Sequence, residues 1–251
     1  HAEASVVIAE DQEQVDKIVS IRPRLPKLRV IVYEDARGMF HYRDDALRSF
    51  AAVEALGREY GAQHPGHVEA EIAKGQPGDV ALLCYTSGTT GSPKGAMLSH
   101  QNLIAGATAF LSRTDLQPDD DWLAYLPMAW IGDAVYTLVL QMMVGFACNC
   151  PEGPETVQRD LRELGPSAFL AAPRIWENLL TQIQVKASDA SWLKRRTFEV
   201  FRDKAIEAEL LRADGKPVPA GLRVMRAIGE FLVYGPVRDQ IGLRRARWCL
   251  T

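Results

Sequence analysis

The densest chemistry in the sequence lies in Tyr85-Thr86-Ser87-Gly88-Thr89-Thr90-Gly91-Ser92-Pro93-Lys94-Gly95, between an apolar run ending at Cys84 and the segment Ala96-Met97-Leu98-Ser99-His100. Hydroxyls at Thr86, Ser87, Thr89 and Thr90 supply donors. Gly88, Gly91 and Gly95 let the backbone reach positive φ and bring its N–H groups close to an anion, and Lys94 adds a mobile positive charge. These residue types in one turn-forming segment suit the holding of a polyphosphate. The Walker loop is excluded, because it needs Gly directly before the lysine and Ser or Thr after it, whereas Pro93 precedes Lys94 and Gly95 follows. The plain alternative is a Ser/Thr/Gly-rich surface turn with a solvated lysine.

The elements around this loop must aim it. Asp79–Tyr85 reads as a buried strand feeding into it, and Ser99 is placed to cap a helix from His100 toward Leu111, with Asn102 as a second polar partner. Upstream, Ser5–Ala9 and Leu28–Tyr33 read as strands around an Asp11–Val19 helix, a βαβ opening that favours a parallel sheet. A helix over Ala46–Leu56 is expected after Asp44 and Asp45, stopped by Gly57 or Gly61, and a short one over Val68–Lys74. His64 and His67, separated by Pro65-Gly66, read as solvated loop histidines.

Downstream, Asp119-Asp120-Asp121 reads as a solvated acidic turn, Trp122–Pro127 as a strand, and Ala134–Val144 as a buried helix capped by Asp133. Strand candidates at Phe146–Cys150 and Ser167–Ala172 flank a helix from Pro154 to Leu164 that Gly165-Pro166 ends. From Arg174 the pattern turns to charged helices with a loop at 213–220, and Trp176, at helical spacing with Leu179 and Leu180, reads as core. The expected fold class is therefore α/β, mostly parallel sheets flanked by helices with a helical segment near the C-terminal end. Three portions are distinguished: a leading βα part at 1–78, a core at 79–173 and a mostly helical part at 174–251.

The 251 residues are 47% hydrophobic and 24% charged, the composition of a folded chain, and a formal net charge of −3 gives no reason to expect nucleic-acid binding. Cys84, Cys148, Cys150 and Cys249 are scattered without a histidine to complete a zinc site; Cys84 and the Cys148/Cys150 pair lie within or beside apolar segments, so buried free thiols in a reducing, cytoplasmic setting are expected. The absence of Met at position 1 and the apolar run Trp248–Thr251 make both ends read as cut ends. The basic residues Arg223, Arg226, Arg238, Arg244, Arg245 and Arg247 leave peripheral contact with a membrane open, against a solvated helix face.

The order Thr86-Ser87-Gly88-Thr89-Thr90-Gly91-x-Pro93-Lys94-Gly95 closely resembles the signature of the AMP-forming adenylating enzymes. Pro77–Ala81, Met97–Leu103 and Tyr125-Leu126-Pro127-Met128-Ala129-Trp130 are similar to that family's flanking motifs. Ala172-Pro173-Arg174-Ile175-Trp176-Glu177 looks like a step of its long-chain and very-long-chain fatty acyl-CoA synthetases. The resemblance implies part of a large N-terminal AMP-binding domain, with the small C-terminal domain and the adenine, ribose and CoA sites beyond Thr251. Incomplete catalysis by the chain alone is the expectation.

It implies, too, a two-step ligation: a fatty acid attacks the α-phosphate of ATP to give an acyl-adenylate and pyrophosphate, and CoA then displaces AMP. Lys94 would be the catalytic, phosphate-neutralising cation, with Thr86, Ser87, Thr89 and Thr90 as donors and Gly88, Gly91 and Gly95 as backbone enablers; Thr86 is the implied Mg²⁺ contact. Many fatty acyl relatives carry His where Trp130 stands, so Trp130 is read as a flat wall or gate of the acyl pocket, beside the alternative of a buried, hydrogen-bonded indole. An amino-acid-activating adenylation domain and a non-catalytic nucleotide-binding piece are the competing readings.

Overall fold

A computed structural model describes residues 2–86, 91 and 93–251, and the chain divides into two units, one ending at Asn102 and the other beginning at Leu103. In the first, β1 (Val6–Ala9), α1 (Gln12–Ile21) and β2 (Val30–Tyr33) form the expected βαβ unit, with β1 and β2 parallel. Asp11 starts α1 by accepting the Gln14 N–H at 3.0 Å. Val15 from the helix meets Ala9, Leu28, Ile31 and Met39 in a small core.

The helix expected over Ala46–Leu56 is displaced. Leu47–Ser49 instead form β3, parallel to β2, and α2 runs Phe50–Gln63, straight through Gly57 and Gly61. Asp44 is spent elsewhere, on the Ala46 N–H and on Arg22, so it cannot cap a helix; Ser49, at the end of β3, caps α2 by accepting the Ala52 N–H at 3.2 Å. After α3 (His67–Ile72) the chain enters β4 (Val80–Thr86), which turns back as β5 (Lys94–Ser99) in an antiparallel pair. His64 and His67 are exposed, as expected, but stand at the end of α2 and the start of α3 and pack around Tyr60, ring centroids 4.1 and 5.2 Å away.

Helix α4 (His100–Leu111) follows, then β6 (Asp121–Leu123). A helical run comprises α5 (Ile131–Asp133), a π-helical stretch Ala134–Val139 and α6 (Leu140–Val144), and Gly145 at φ 89° ends it. β7 (Ala147–Asn149), α7 (Val157–Leu164) and β8 (Ala168–Leu170) come next. The helices α8 (Pro173–Ser188), α9 (Trp192–Ala213) and α10 (Ala220–Gly229), a π-helical turn Glu230–Tyr234 and α11 (Gly235–Gln240) then lead to β9 (Trp248–Leu250).

The second unit's sheet is parallel throughout, in the order β7-β6-β8-β9. Strand alternation assigns its two faces. Trp122 and Ala168 face a core with Ala107, Val139, Leu140 and Phe146, while their neighbours Leu123 and Phe169 face another with Leu161, Ala171 and Leu243. Both faces are covered, as parallel sheets require. Contrary to expectation, the helical run 134–144 is buried on one side only: Val139 and Leu140 are inside, while Leu138, Met142 and Met143 are exposed.

Candidate phosphate-binding hairpin and other candidate residues

The segment expected to carry the phosphate chemistry begins at the end of β4 and ends at the start of β5. Tyr85 pairs with Gly95 and Thr86 with Lys94, so the hydroxyl and the cation leave neighbouring strands as the last pair before the turn. Ser87, Gly88, Thr89 and Thr90 lie outside the described residues. Gly91 has φ +87°, the left-handed conformation expected of it. Gly95 is needed for a different reason: a Cβ there would stand 3.1 Å from the Tyr85 ring, so its absence lets the ring lie across the paired strand.

At the hairpin's other end, the His100 and Gln101 N–H groups bond the carbonyls of Asp79 and Pro77, at 3.2 and 2.9 Å. Ser99 Oγ accepts the Asn102 N–H at 3.2 Å and Asn102 Oδ1 accepts the Ser99 N–H at 3.1 Å, the reciprocal cap expected from sequence. His100 is thereby the first residue of α4. Strand β4 is largely exposed, not buried as expected, and β5 was not anticipated because Lys94-Gly95-Ala96 has weak strand propensity; pairing with β4 overrides it.

Trp130 stands just before α5 and is exposed over half its surface. Asp133 does not cap the helix that follows it. It lies within the helical run, 2% exposed, and accepts a hydrogen bond from Thr137 Oγ1 at 2.9 Å; Thr137 in turn accepts from Trp122 Nε1 at 3.2 Å. Burial pushes the Asp133 carboxyl above the usual range, partly offset by the Thr137 bond. Burial likewise raises the Tyr125 phenol, whose hydroxyl donates to the Leu170 carbonyl at 3.0 Å, and takes the Cys148 thiol up to about 11. Cys148, Cys150 and Cys249 are free thiols, and Cys150, expected to be buried, is exposed.

The acidic turn is the largest departure from expectation. Asp120 is 3% exposed and is held by both oxygens to Arg247 Nη2, at 2.7 and 2.6 Å, by the Gln117 N–H at 2.7 Å and by Ser167 Oγ. Burial, the largest single influence, pushes its carboxyl upward, but the bonds from Arg247, Ser167 and the Gln117 N–H together with Arg247's charge hold it below its ordinary value. Arg245 pairs with Asp121 at 2.9 Å, Arg226 with Glu209 at 2.9 Å, and Arg238 with Glu230. Four of the six arginines of the basic segment are therefore committed to internal acids. The 120–247 pairing joins residues far apart in sequence, and no local pattern announces it.

Residues 1–236 match the family described as AMP-binding enzyme. The chain belongs to that family. This AMP-binding enzyme is 30% identical over 263 residues to the long-chain-fatty-acid–CoA ligase ACSBG2 of Xenopus laevis, an alignment covering 100% of this chain and 34% of the relative. It is 28% identical over 255 residues to the long-chain-fatty-acid–CoA ligase ACSBG1 of Rattus norvegicus, covering 97% of this chain and 34% of that one. The chain thus spans about a third of the length of the curated relatives it matches.

Among solved structures, the anthranilate CoA ligase AuaEII in complex with anthranoyl-AMP is similar at 26% identity and a TM-score of 0.55, over 68% of this chain and 31% of that one. VinN in complex with L-aspartate is similar at 21% identity and a TM-score of 0.53, over 74% and 41%, and speaks to the fold alone. The α/β architecture with parallel sheets and flanking helices is that of the N-terminal domain of adenylate-forming enzymes.

Proposed function

We propose that the chain supplies the pyrophosphate-facing side of an ATP-dependent long-chain fatty acid–CoA ligase. The observation that carries this reading is the Thr86–Lys94 pair at the mouth of a hairpin loop, in a member of the AMP-binding enzyme family whose curated relatives are fatty-acid–CoA ligases. In the reaction, a carboxylate oxygen of the fatty acid attacks the α-phosphorus of ATP, the bond to the β-phosphate oxygen breaks, and pyrophosphate leaves with the electron pair. The thiolate of CoA then attacks the acyl carbon and AMP departs.

The chain's own part belongs to the first step. Lys94 neutralises charge gathering on the leaving pyrophosphate, and Thr86, with Ser87, Thr89, Thr90 and the N–H groups of Gly88, Gly91 and Gly95, donates hydrogen bonds to its oxygens. Thr86 and Lys94, opposite each other on paired strands, need little reorganisation as that charge develops, and this makes them worth more than the same groups in water.

The donor set fits Mg²⁺ held chiefly by phosphate oxygens. The Thr86 hydroxyl is a single hard oxygen at a strand end, and among the described residues no cluster of three His, Cys, Asp or Glu could hold a metal alone. Bound there, the ion would neutralise phosphate charge. Trp130, exposed at the start of α5, presents a flat apolar wall to the acyl substrate.

The test is ATP–pyrophosphate exchange by a protein spanning the full length of the relatives, with fatty acids of graded length and with amino acids. Exchange supported by long-chain acids supports the reading, and exchange with amino acids alone replaces it with amino-acid activation. Loss of chain-length preference in Trp130→Ala would bear out the acyl wall; unchanged preference would remove it.

A further inference from the structure

A cavity of about 730 Å³ opens within the second unit among α7, α8, α9 and α11, and Trp130 is not among its lining residues. Its volume falls in the range of roughly 300–1,000 Å³ typical of small-ligand sites. Its lining includes Leu161, Leu179 and Val233, all apolar and buried. The mouth is apolar too but open to water: Leu193 is 66% exposed and Leu232 52% exposed.

Charge around the cavity has one sign. Arg162, Lys186 and Lys194 line it, and no Asp or Glu does. All three cations are exposed, and among the described residues none forms an ion pair with an acid, in contrast to Arg226, Arg238, Arg245 and Arg247 of the same unit. Buried apolar side chains and unpaired cations lining one cavity fit a molecule with an alkyl chain at one end and a negative charge at the other. Taking each methylene out of water is favourable, so a long chain gains most from such a lining.

We propose that this cavity is a binding site for a free long-chain fatty acid, separate from the acyl wall at Trp130, with the chain on Leu161, Leu179 and Val233 and the carboxylate at Lys186 and Lys194. The choice of a fatty acid rests on the proposed function, whereas the alkyl-chain-plus-anion chemistry rests on the cavity alone.

The experiment is titration of the chain with palmitate in the absence of nucleotide, followed by calorimetry, with hexadecanol as the uncharged counterpart. Saturable palmitate binding is expected, weaker by about tenfold or more for hexadecanol and for Lys186→Glu/Lys194→Glu, the factor that one charge-assisted contact is worth. Ala187→Trp, which places a ring in the cavity, is expected to reduce binding of both ligands.

The lysine pair is exposed, so its reversal tests the head-group contact even if the tryptophan variant misfolds; circular dichroism of each variant checks the fold. No saturable binding, equal binding of palmitate and hexadecanol, or binding indifferent to both sets of cavity variants overturns the proposal. Palmitate binding lost in Trp130→Ala but kept in the cavity variants also overturns it and assigns the acid to the reaction site. If fatty acids fail to support pyrophosphate exchange while palmitate still binds here, the proposed function fails and the cavity site stands.

Discussion

Replacing Arg247 by Met removes the cation that both oxygens of Asp120 contact and keeps most of the side chain's bulk. Asp120 is left buried with the Gln117 N–H and Ser167 as partners. Breaking a fully buried ion pair costs about 3–5 kcal/mol. The Arg247 side chain is 43% exposed, however, so water reaches the arginine end and screening lowers the figure to about 2 kcal/mol. At roughly 2–4 °C per kcal/mol for a unit of this size, the Tm at pH 7 should fall by about 4–8 °C.

The pH dependence of that loss has a definite sign. The folded-state pKa of Asp120 lies below its unfolded value, so the stability it contributes is present above about pH 3.9 and is lost as pH falls through the folded value. The gap between wild type and Arg247→Met should therefore be full at pH 7 and shrink below about pH 4. Thermal denaturation followed by circular dichroism at stepped pH reads both quantities. A drop under about 1 °C at pH 7, or a gap of constant size down to acid pH, would refute the reasoning.

Lys94→Ala should weaken ATP–pyrophosphate exchange by about 100-fold or more, the scale of losing one preorganised charge-stabilising group, with the melting curve unchanged because Lys94 is an exposed hairpin residue. Asp133→Asn should show the opposite pH trend to Arg247→Met: a raised folded pKa means that the wild-type carboxyl costs stability as pH rises through that value, so the variant's Tm relative to wild type should increase from pH 4 to pH 7. Ser99→Ala removes the cap of α4 and should cost about 1 kcal/mol in denaturant titration. Gly242→Ala forces a side chain into φ +79° with its Cβ 2.2 Å from the Leu161 carbonyl oxygen; it should cost about 3 kcal/mol or more, seen as loss of soluble protein or a large Tm decrease.

Local chemistry made the hairpin's surroundings legible. Ser99 and Asn102 form their cap within four residues, and β1, α1 and β2 follow from alternation and period with a cap at Asp11, so each was readable from its own segment. The helix expected at Ala46 failed because β2 offered Leu47–Ser49 a pairing edge, a tertiary gain that no local propensity records. β5 escaped notice for the same reason: Lys94-Gly95-Ala96 is a poor strand by composition and becomes one opposite β4.

Charge was the least legible feature, because a carboxylate's meaning depends on what lies across from it. Asp120 and Asp133 both read as ordinary turn or cap acids in sequence, and both are buried, yet their environments drive them in opposite directions. Arg247, 127 residues away, reaches Asp120 and keeps it ionised, whereas Asp133 accepts from the neutral Thr137 hydroxyl and is pushed toward the neutral form. The same logic separates the arginines of the C-terminal segment from Lys186 and Lys194. The arginines at 226, 238, 245 and 247 are consumed by internal acids and hold the unit together, while the lysines face no acid across an apolar cavity. A cation without an internal partner keeps its charge available to a ligand, and that availability, rather than the number of basic residues, is what distinguishes a binding surface from a clamp.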